Sequence, residues 1–126
     1  MNSSENVLNW FEISVNDIDR AKNFYENIFS IKMDAQEMMG MKMASFPFEM
    51  NGKLAGAIVQ SQMHKPSADG VKIYLNGNPN LDEALSKVEG AGGKVTMPKT
   101  KISDDIGYMA FFIDTEGNTL GIHSNG

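Results

Sequence analysis

A chain of 126 residues suffices for one domain with one core, and its 41% hydrophobic and 21% charged content is that of a soluble globular protein. A net charge of −5, with no Lys/Arg run long enough to follow a phosphate backbone, argues against nucleic acid as a partner. Zero cysteines exclude disulfides, thiolate metal sites and cysteine nucleophiles. No apolar run approaches the ~20 residues a bilayer requires, and residues 1–6 are polar without a basic-then-apolar leader pattern, so the expected location is the cytoplasm with no membrane partner.

After a loose N-terminal arm, residues 9–15 alternate as a strand. Phe11, Ile13 and Val15 take one face; Trp10, Glu12 and Ser14 take the other. Asn16 or Asp17 then caps a helix whose stripe is Ile18, Ala21, Tyr25 and Ile28, with Phe24 beside it. Residues 31–37 read as a second strand, Gly40 marks a hairpin turn, and residues 42–49 read as a third strand that Pro47 makes irregular or places at an edge. Asn51-Gly52 is the strongest turn signal in the chain. Residues 54–60 follow as a fourth strand, and residues 61–70 link two halves.

The second half repeats the plan. Residues 71–76 form a strand, and residues 77–79 break it. Asn80 caps a helix, Glu83 completes a capping-box-like pair, and Leu81, Ala84, Leu85 and Val88 supply the stripe before the glycines at 90–93. Residues 94–97 are short and extended, residues 98–107 a polar loop, residues 108–114 a strand and residues 119–123 a final strand. Laying the halves together matches Ala21 with Ala84 and Gly52 with Gly117, which sets Gly56 opposite Gly121. The organisation is therefore a single domain over 1–126, with one module at about 8–62 and another at about 70–124.

Three stretches carry a family resemblance: DIDRAKNFY at residues 17–25 with Ile28-Phe-Ser30 after it, ALSKVEGAGG at residues 84–93, and DTEGN at residues 114–118. With this spacing the chain resembles the vicinal oxygen chelate superfamily, which includes lactoylglutathione lyase, bleomycin-resistance proteins and extradiol dioxygenases. The resemblance implies an α+β fold of two βαβββ modules. These would form a cup-shaped, half-open, eight-stranded mixed sheet with the helices outside, and the molecule would be a homodimer. Metal-dependent members of the family place ligands at one inward position in the first and last strand of each module. Counted from the helix signature, those positions here are Trp10, Gly56, Gly121 and Ile73, or Val71 if the break after Asn76 is lengthened by two. None of these side chains supplies the N or O donors a divalent ion requires. The resemblance thus points to a subgroup lacking the metal ligands and needing no cofactor.

The remaining chemistry concentrates on the Trp10 face. Trp10 either stacks on a planar ligand or fills space left by a lost metal, fitted over Gly56 and Gly121. Glu12 is the most chemically capable residue there, as an acid/base or an anchor for a cationic group, against the plainer reading of a paired carboxylate. Ser14 shares its face, Gln60 is a hydrogen-bonding neighbour, and His123 shares a strand face with Gly121. His64, in the linker, carries little weight, and no Ser-His-Asp set or dinucleotide fingerprint is visible. Met33, Met38, Met39, Met41 and Met43 suit an adaptable pocket, but equally hairpin packing or a dimer face. Residues 98–107 either lid the cup or form a solvated loop. Three functions follow: a metal-independent protein binding a small molecule in the cup, a lyase or isomerase of glyoxalase type using Glu12, or a dimeric scaffold whose cup is filled by its own side chains.

Overall fold

The computed structural model describes residues 1–49 and 53–126; the Asn51-Gly52 turn lies outside the described residues. The first module runs β1 (Trp10–Ser14), α1 (Ile18–Phe29), β2 (Asp34–Met38), β3 (Met41–Ser45) and β4 (Ala55–Gln60). The second runs β5 (Tyr74–Asn76), α2 (Asp82–Leu85), β6 (Lys94–Ser103), β7 (Gly107–Ile113) and β8 (Thr119–Ser124). Each forms an open four-stranded mixed sheet, ordered β1-β4-β3-β2 and β5-β8-β7-β6, with its first and last strands parallel. This is the α+β fold of two βαβββ modules. Within one chain the eight strands form two hydrogen-bonded sheets rather than one continuous sheet.

Local sequence accounts for the element ends. Asp17 is extended, at φ −136°, and its carboxylate accepts from the Arg20 amide at 3.0 Å, which starts α1. Ser30, left-handed at φ 54°, stops it. The β2–β3 hairpin closes through Met39 and Gly40, both at positive φ, and leaves Met38 paired with Met41. Strand β2 begins later than residue 31 because the chain is still tied to α1: the Ile31 amide donates to the Glu26 carbonyl and the Met33 amide to the Glu26 carboxylate.

Two expectations need correction. The second helix is a single α-turn. Asn80 accepts from the Asp82 amide at 2.9 Å, but the turns that continue to Gly93 include short Lys87→Ala84 and Val88→Leu85 bonds. Most of the stretch 98–107 is strand rather than loop, since β6 extends to Ser103 and only residues 104–106 remain as the turn into β7. Pro98 is tolerated because β6 is the sheet edge, and the ladder shifts register on either side of it.

One core joins the modules. Ile13, Ile58 and Ala44 sit side by side across sheet one, as do Leu75, Ile122 and Ala110 across sheet two, and all six are buried. Helix α1 touches both sheets: the Tyr25 ring lies 5.6 Å from Phe46, and the Phe24 ring lies 5.9 Å from Phe112. The helices therefore lie behind both sheets, and the other face of each sheet points away from the core. Among the described residues, no helix is long and apolar enough to cross a membrane.

A polar staple crosses the module boundary. The Glu116 side chain is fully buried and receives Arg20 through Nε at 2.7 Å and Nη2 at 3.0 Å. It also accepts from the amides of Asn16 and Asp17, each at 2.9 Å, at the entry to α1. Burial pushes its pKa up, but the Arg20, Thr115, Asp17 and Asn16 hydrogen bonds outweigh that and hold it at about 2. Beside it, the Tyr25 hydroxyl donates to Asp114 at 2.7 Å. Burial, and then the Asp114 charge, hold Tyr25 well above the usual phenol range. Asn118 completes the knot by donating to the Ser14 carbonyl and to Asp114.

Candidate functional site

Strand alternation assigns every expected site residue to a face. In sheet one, Glu12 pairs with Ala57 and Ser14 with Val59, so these share the outward face with Trp10. Gly56 pairs with Phe11 and lies on the opposite, helix-facing side, where an added Cβ would strike the Phe11 ring. Gln60 also lies on the helix side, and its Oε1 accepts from the Ile18 amide at 2.9 Å. It helps start α1 and stands apart from the Trp10 face.

In sheet two, Tyr74 pairs with Gly121 and Asn76 with His123, and these four share the outward face with Phe111 and Met109. Ile73 packs against the core instead, and Val71 is exposed outside the strand. The reason is a one-residue slip. Core row Ile13–Ile58 corresponds to Leu75–Ile122, so the counterpart of Gly121 is Ala57 and that of Glu12 is Tyr74. Leu75 stands one residue farther from Ala84 than Ile13 stands from Ala21, and a slip of one exchanges the two faces of a strand. The pairing of Trp10 with Gly56 and Gly121 is not formed. Gly56 accommodates Phe11, Gly121 accommodates Tyr74, and Trp10 instead packs edge-on against Phe48 at 6.1 Å. His123 Nε2 donates to the Ile106 carbonyl, at 2.7 Å, in the turn between β6 and β7. Because the two outward faces point away from a common core, a single chain does not bring Trp10, Glu12 and Ser14 together with Gly121 and His123.

What does converge on the outward face of sheet one is a hydrogen-bonded chain of side chains. The Trp10 indole donates to Glu12 Oε2 at 3.3 Å. Glu12 Oε1 lies 2.8 Å from His64 Nε2, and His64 Nδ1 lies 2.6 Å from the Ser61 hydroxyl. A carboxylate only accepts, so neutral His64 carries its proton on Nε2 and presents the Nδ1 lone pair to Ser61. Ser61 also accepts from the Met63 amide at 3.1 Å, which leaves its own proton to point at Nδ1. The His64 side chain is 14% exposed and that of Glu12 is 33% exposed, so the group is shielded yet reachable. His64 and Ser61 are the site residues that sequence reasoning passed over. The Ser61-x-x-His64 spacing, which fits a single turn closed by the Ser61–His64 bridge, was the available signal. Their meeting with Glu12, 52 residues away, depends on the β1–β4 pairing.

A divalent ion requires several N or O donors. The outward positions carry Trp10 and Ala57 on one sheet and Tyr74 and Gly121 on the other, and Glu12 and His64 are bonded to each other. Among the described residues, no group of three or more His, Cys, Asp or Glu is placed to hold an ion. These residues do not fit the family's divalent metal.

A cavity of about 540 Å³ lies elsewhere, between the modules. It is lined by Phe11, Phe46, Gly56, Tyr74 and Asn78, among others.

Two βαβββ modules, each closing its first strand onto its last in parallel and presenting an outward polar and aromatic face, define the paired-module class of glyoxalase-like folds. The chain belongs to the Glyoxalase/Bleomycin resistance protein/Dioxygenase superfamily, whose family model matches residues 7–122. It is 28% identical over 117 residues to CFP32 of Mycobacterium tuberculosis, a protein provisionally named as a glyoxylase. That match takes in 90% of this chain but spans only 44% of the length of the mycobacterial protein. A glyoxylase-like domain-containing protein of Didymella fabae is 29% identical over 119 residues, with 88% of each chain covered. Among solved structures, a hypothetical protein from S. aureus superposes with a TM-score of 0.65 at 26% identity, covering 91% of this chain and 94% of that one. Glyoxalase I from Zea mays gives a TM-score of 0.68 at 17% identity over 93% of this chain and 44% of its own. The maize enzyme is a likeness of fold.

Proposed function

We propose that this protein binds a small molecule on the outward face of sheet one and does so without a divalent metal, a cofactor or a membrane. The observation that carries the reading is the Trp10–Glu12–His64–Ser61 chain, a hydrogen-bonded polar group beside two aromatic rings on a strand face that points away from the core. Trp10 is 39% exposed and offers a flat ring; Glu12 and His64 offer an acceptor and a tautomer-dependent partner. The donor set, with its two nitrogen and oxygen groups turned toward each other, supports the metal-free part of the proposal.

The site is completed by a second copy of the chain. Tyr74, 51% exposed, lies on the outward face of sheet two with Gly121, Phe111 and His123. Juxtaposing this face of one protomer with the Trp10 face of its partner would rebuild the eight-stranded cup and cover both apolar surfaces. An acid/base role for Glu12 acting directly on a substrate is less well supported, because each of its carboxylate oxygens already has a partner.

Native mass spectrometry on protein purified without chelator tests the reading. It predicts a dimer with no stoichiometric metal and a small-molecule adduct that Glu12→Gln weakens. One tightly held metal ion per chain, or a monomer indifferent to every compound offered, would overturn it.

A further inference from the structure

We infer that Ser61 is an acyl-accepting nucleophile, activated by His64 and Glu12, and that this face hydrolyses small aryl esters. The inference rests on the proposed use of the Trp10 face as the binding site and assigns that face a chemistry. A serine hydroxyl is a weak nucleophile until a neighbouring base takes its proton and a third group orients that base. All three roles are filled here, with Ser61 2.6 Å from His64 and His64 2.8 Å from Glu12. The ring nitrogens are exchanged relative to the familiar serine-hydrolase arrangement: the hydroxyl uses Nδ1 and the carboxylate uses Nε2. Either nitrogen serves, because a proton accepted at one is compensated by a carboxylate at the other. The Met63 amide fixes the hydroxyl by donating to it, and the Trp10 indole fixes the far oxygen of Glu12. The Trp10 and Phe48 rings then suggest an aromatic leaving group.

The Ser61 Oγ attacks the ester carbonyl carbon as its proton passes to His64 Nδ1. The carbonyl re-forms, and the aryl oxygen departs with the bonding electron pair and takes that proton. Water then adds to the acyl carbon and gives a proton to Nδ1. The bond to Ser61 breaks, the acid leaves, and Ser61 Oγ recovers the proton. Water is the only co-reactant.

The probe is p-nitrophenyl acetate with the full chain. The expected result is a burst of nitrophenolate approaching one per chain and an acetyl group on the peptide that contains Ser61. Ser61→Ala removes both, and His64→Gln slows acylation by at least ~100-fold, the lower reach of lost acid/base assistance, with Glu12→Gln slowing it in the same direction. Ser61→Cys supplies a second readout: alkylation by iodoacetamide should be faster with His64 present than in the Ser61→Cys/His64→Gln pair. Acetyl confined to lysines or the N-terminus, a rate unchanged in Ser61→Ala, or a cysteine indifferent to His64 would overturn the inference. Titrating Trp10 emission with phenol separates the two proposals. Response without acylation defeats the nucleophile alone, whereas acylation without response defeats the binding reading.

Discussion

Glu116→Gln removes the charge on which the module-spanning staple converges while keeping the side chain's size. In the folded protein the Glu116 carboxyl titrates at about 2 against an ordinary 4.5. At ~1.36 kcal/mol for each pKa unit, the ionised form contributes about 3 kcal/mol to stability at neutral pH. The folded pKa is the depressed one, so this contribution is present above pH 4.5 and is lost as the pH falls from 4.5 through about 2. The substitution also sets an amide –NH2 among donors from Arg20, Asn16 and Asp17. Urea unfolding of the wild type and Glu116→Gln, followed by circular dichroism, should give a difference of about 3 kcal/mol at neutral pH. That difference should narrow steadily below pH 4.5. Other carboxylates titrate in both proteins and largely cancel in the difference. A gap of the same size at neutral and at strongly acid pH would refute the reasoning, because a packing defect alone has no such pH dependence.

Other consequences of the structure are as direct. Tyr25→Phe leaves Asp114 without its phenol donor in a buried setting and should cost about 1–3 kcal/mol in the same unfolding assay. Because the folded Tyr25 pKa lies well above 10.0, wild-type stability should fall as the pH rises past 10.0, and this slope should be absent in Tyr25→Phe. Gly107→Ala places a Cβ at φ +102° against the Ser124 carbonyl, which is backbone and cannot swing aside, so a loss above ~1 kcal/mol is expected on thermal melting. His64→Ala frees one oxygen of Glu12 and should shift Trp10 emission with little change in stability, since the pair is partly exposed. Tyr74→Lys, on the outward face of sheet two, should shift sedimentation from dimer to monomer if that face closes the cup.

The fold was legible because its signals are local and repeated. The stripe Ile18, Ala21, Tyr25 and Ile28, the Asp17 cap and the Gly40 turn each act within a few residues. The motifs that carry the family resemblance prove to be structural: Arg20 and Tyr25 from the first helix meet Glu116 and Asp114 from the last hairpin. They join the modules, which is why they specify the fold while saying little about a substrate. The site was legible in part. Trp10, Glu12 and Ser14 share a face because strand alternation is strict within one strand. Gly56 and Ile73 were misplaced because counting between modules assumes equal spacings: Leu75 is one residue farther from Ala84 than Ile13 is from Ala21, and Ile58 is one residue farther from Gly52 than Ile122 is from Gly117. His64 was discounted because its importance depends on a parallel pairing between strands far apart in sequence, which no local pattern encodes. The strand through Pro98 was missed because proline's penalty vanishes at a sheet edge, and edge position is a property of topology.

Trp10 emission is the most direct probe of the central claim, since Trp10 is the sole tryptophan and donates to Glu12 within the proposed site. Metal-stripped protein titrated with a panel of small aromatic compounds should show a saturable change for at least one of them, weakened by Glu12→Gln and by His64→Ala. Silence across the panel, or a response that appears only after zinc or nickel is added, would contradict a metal-free binding site on this face.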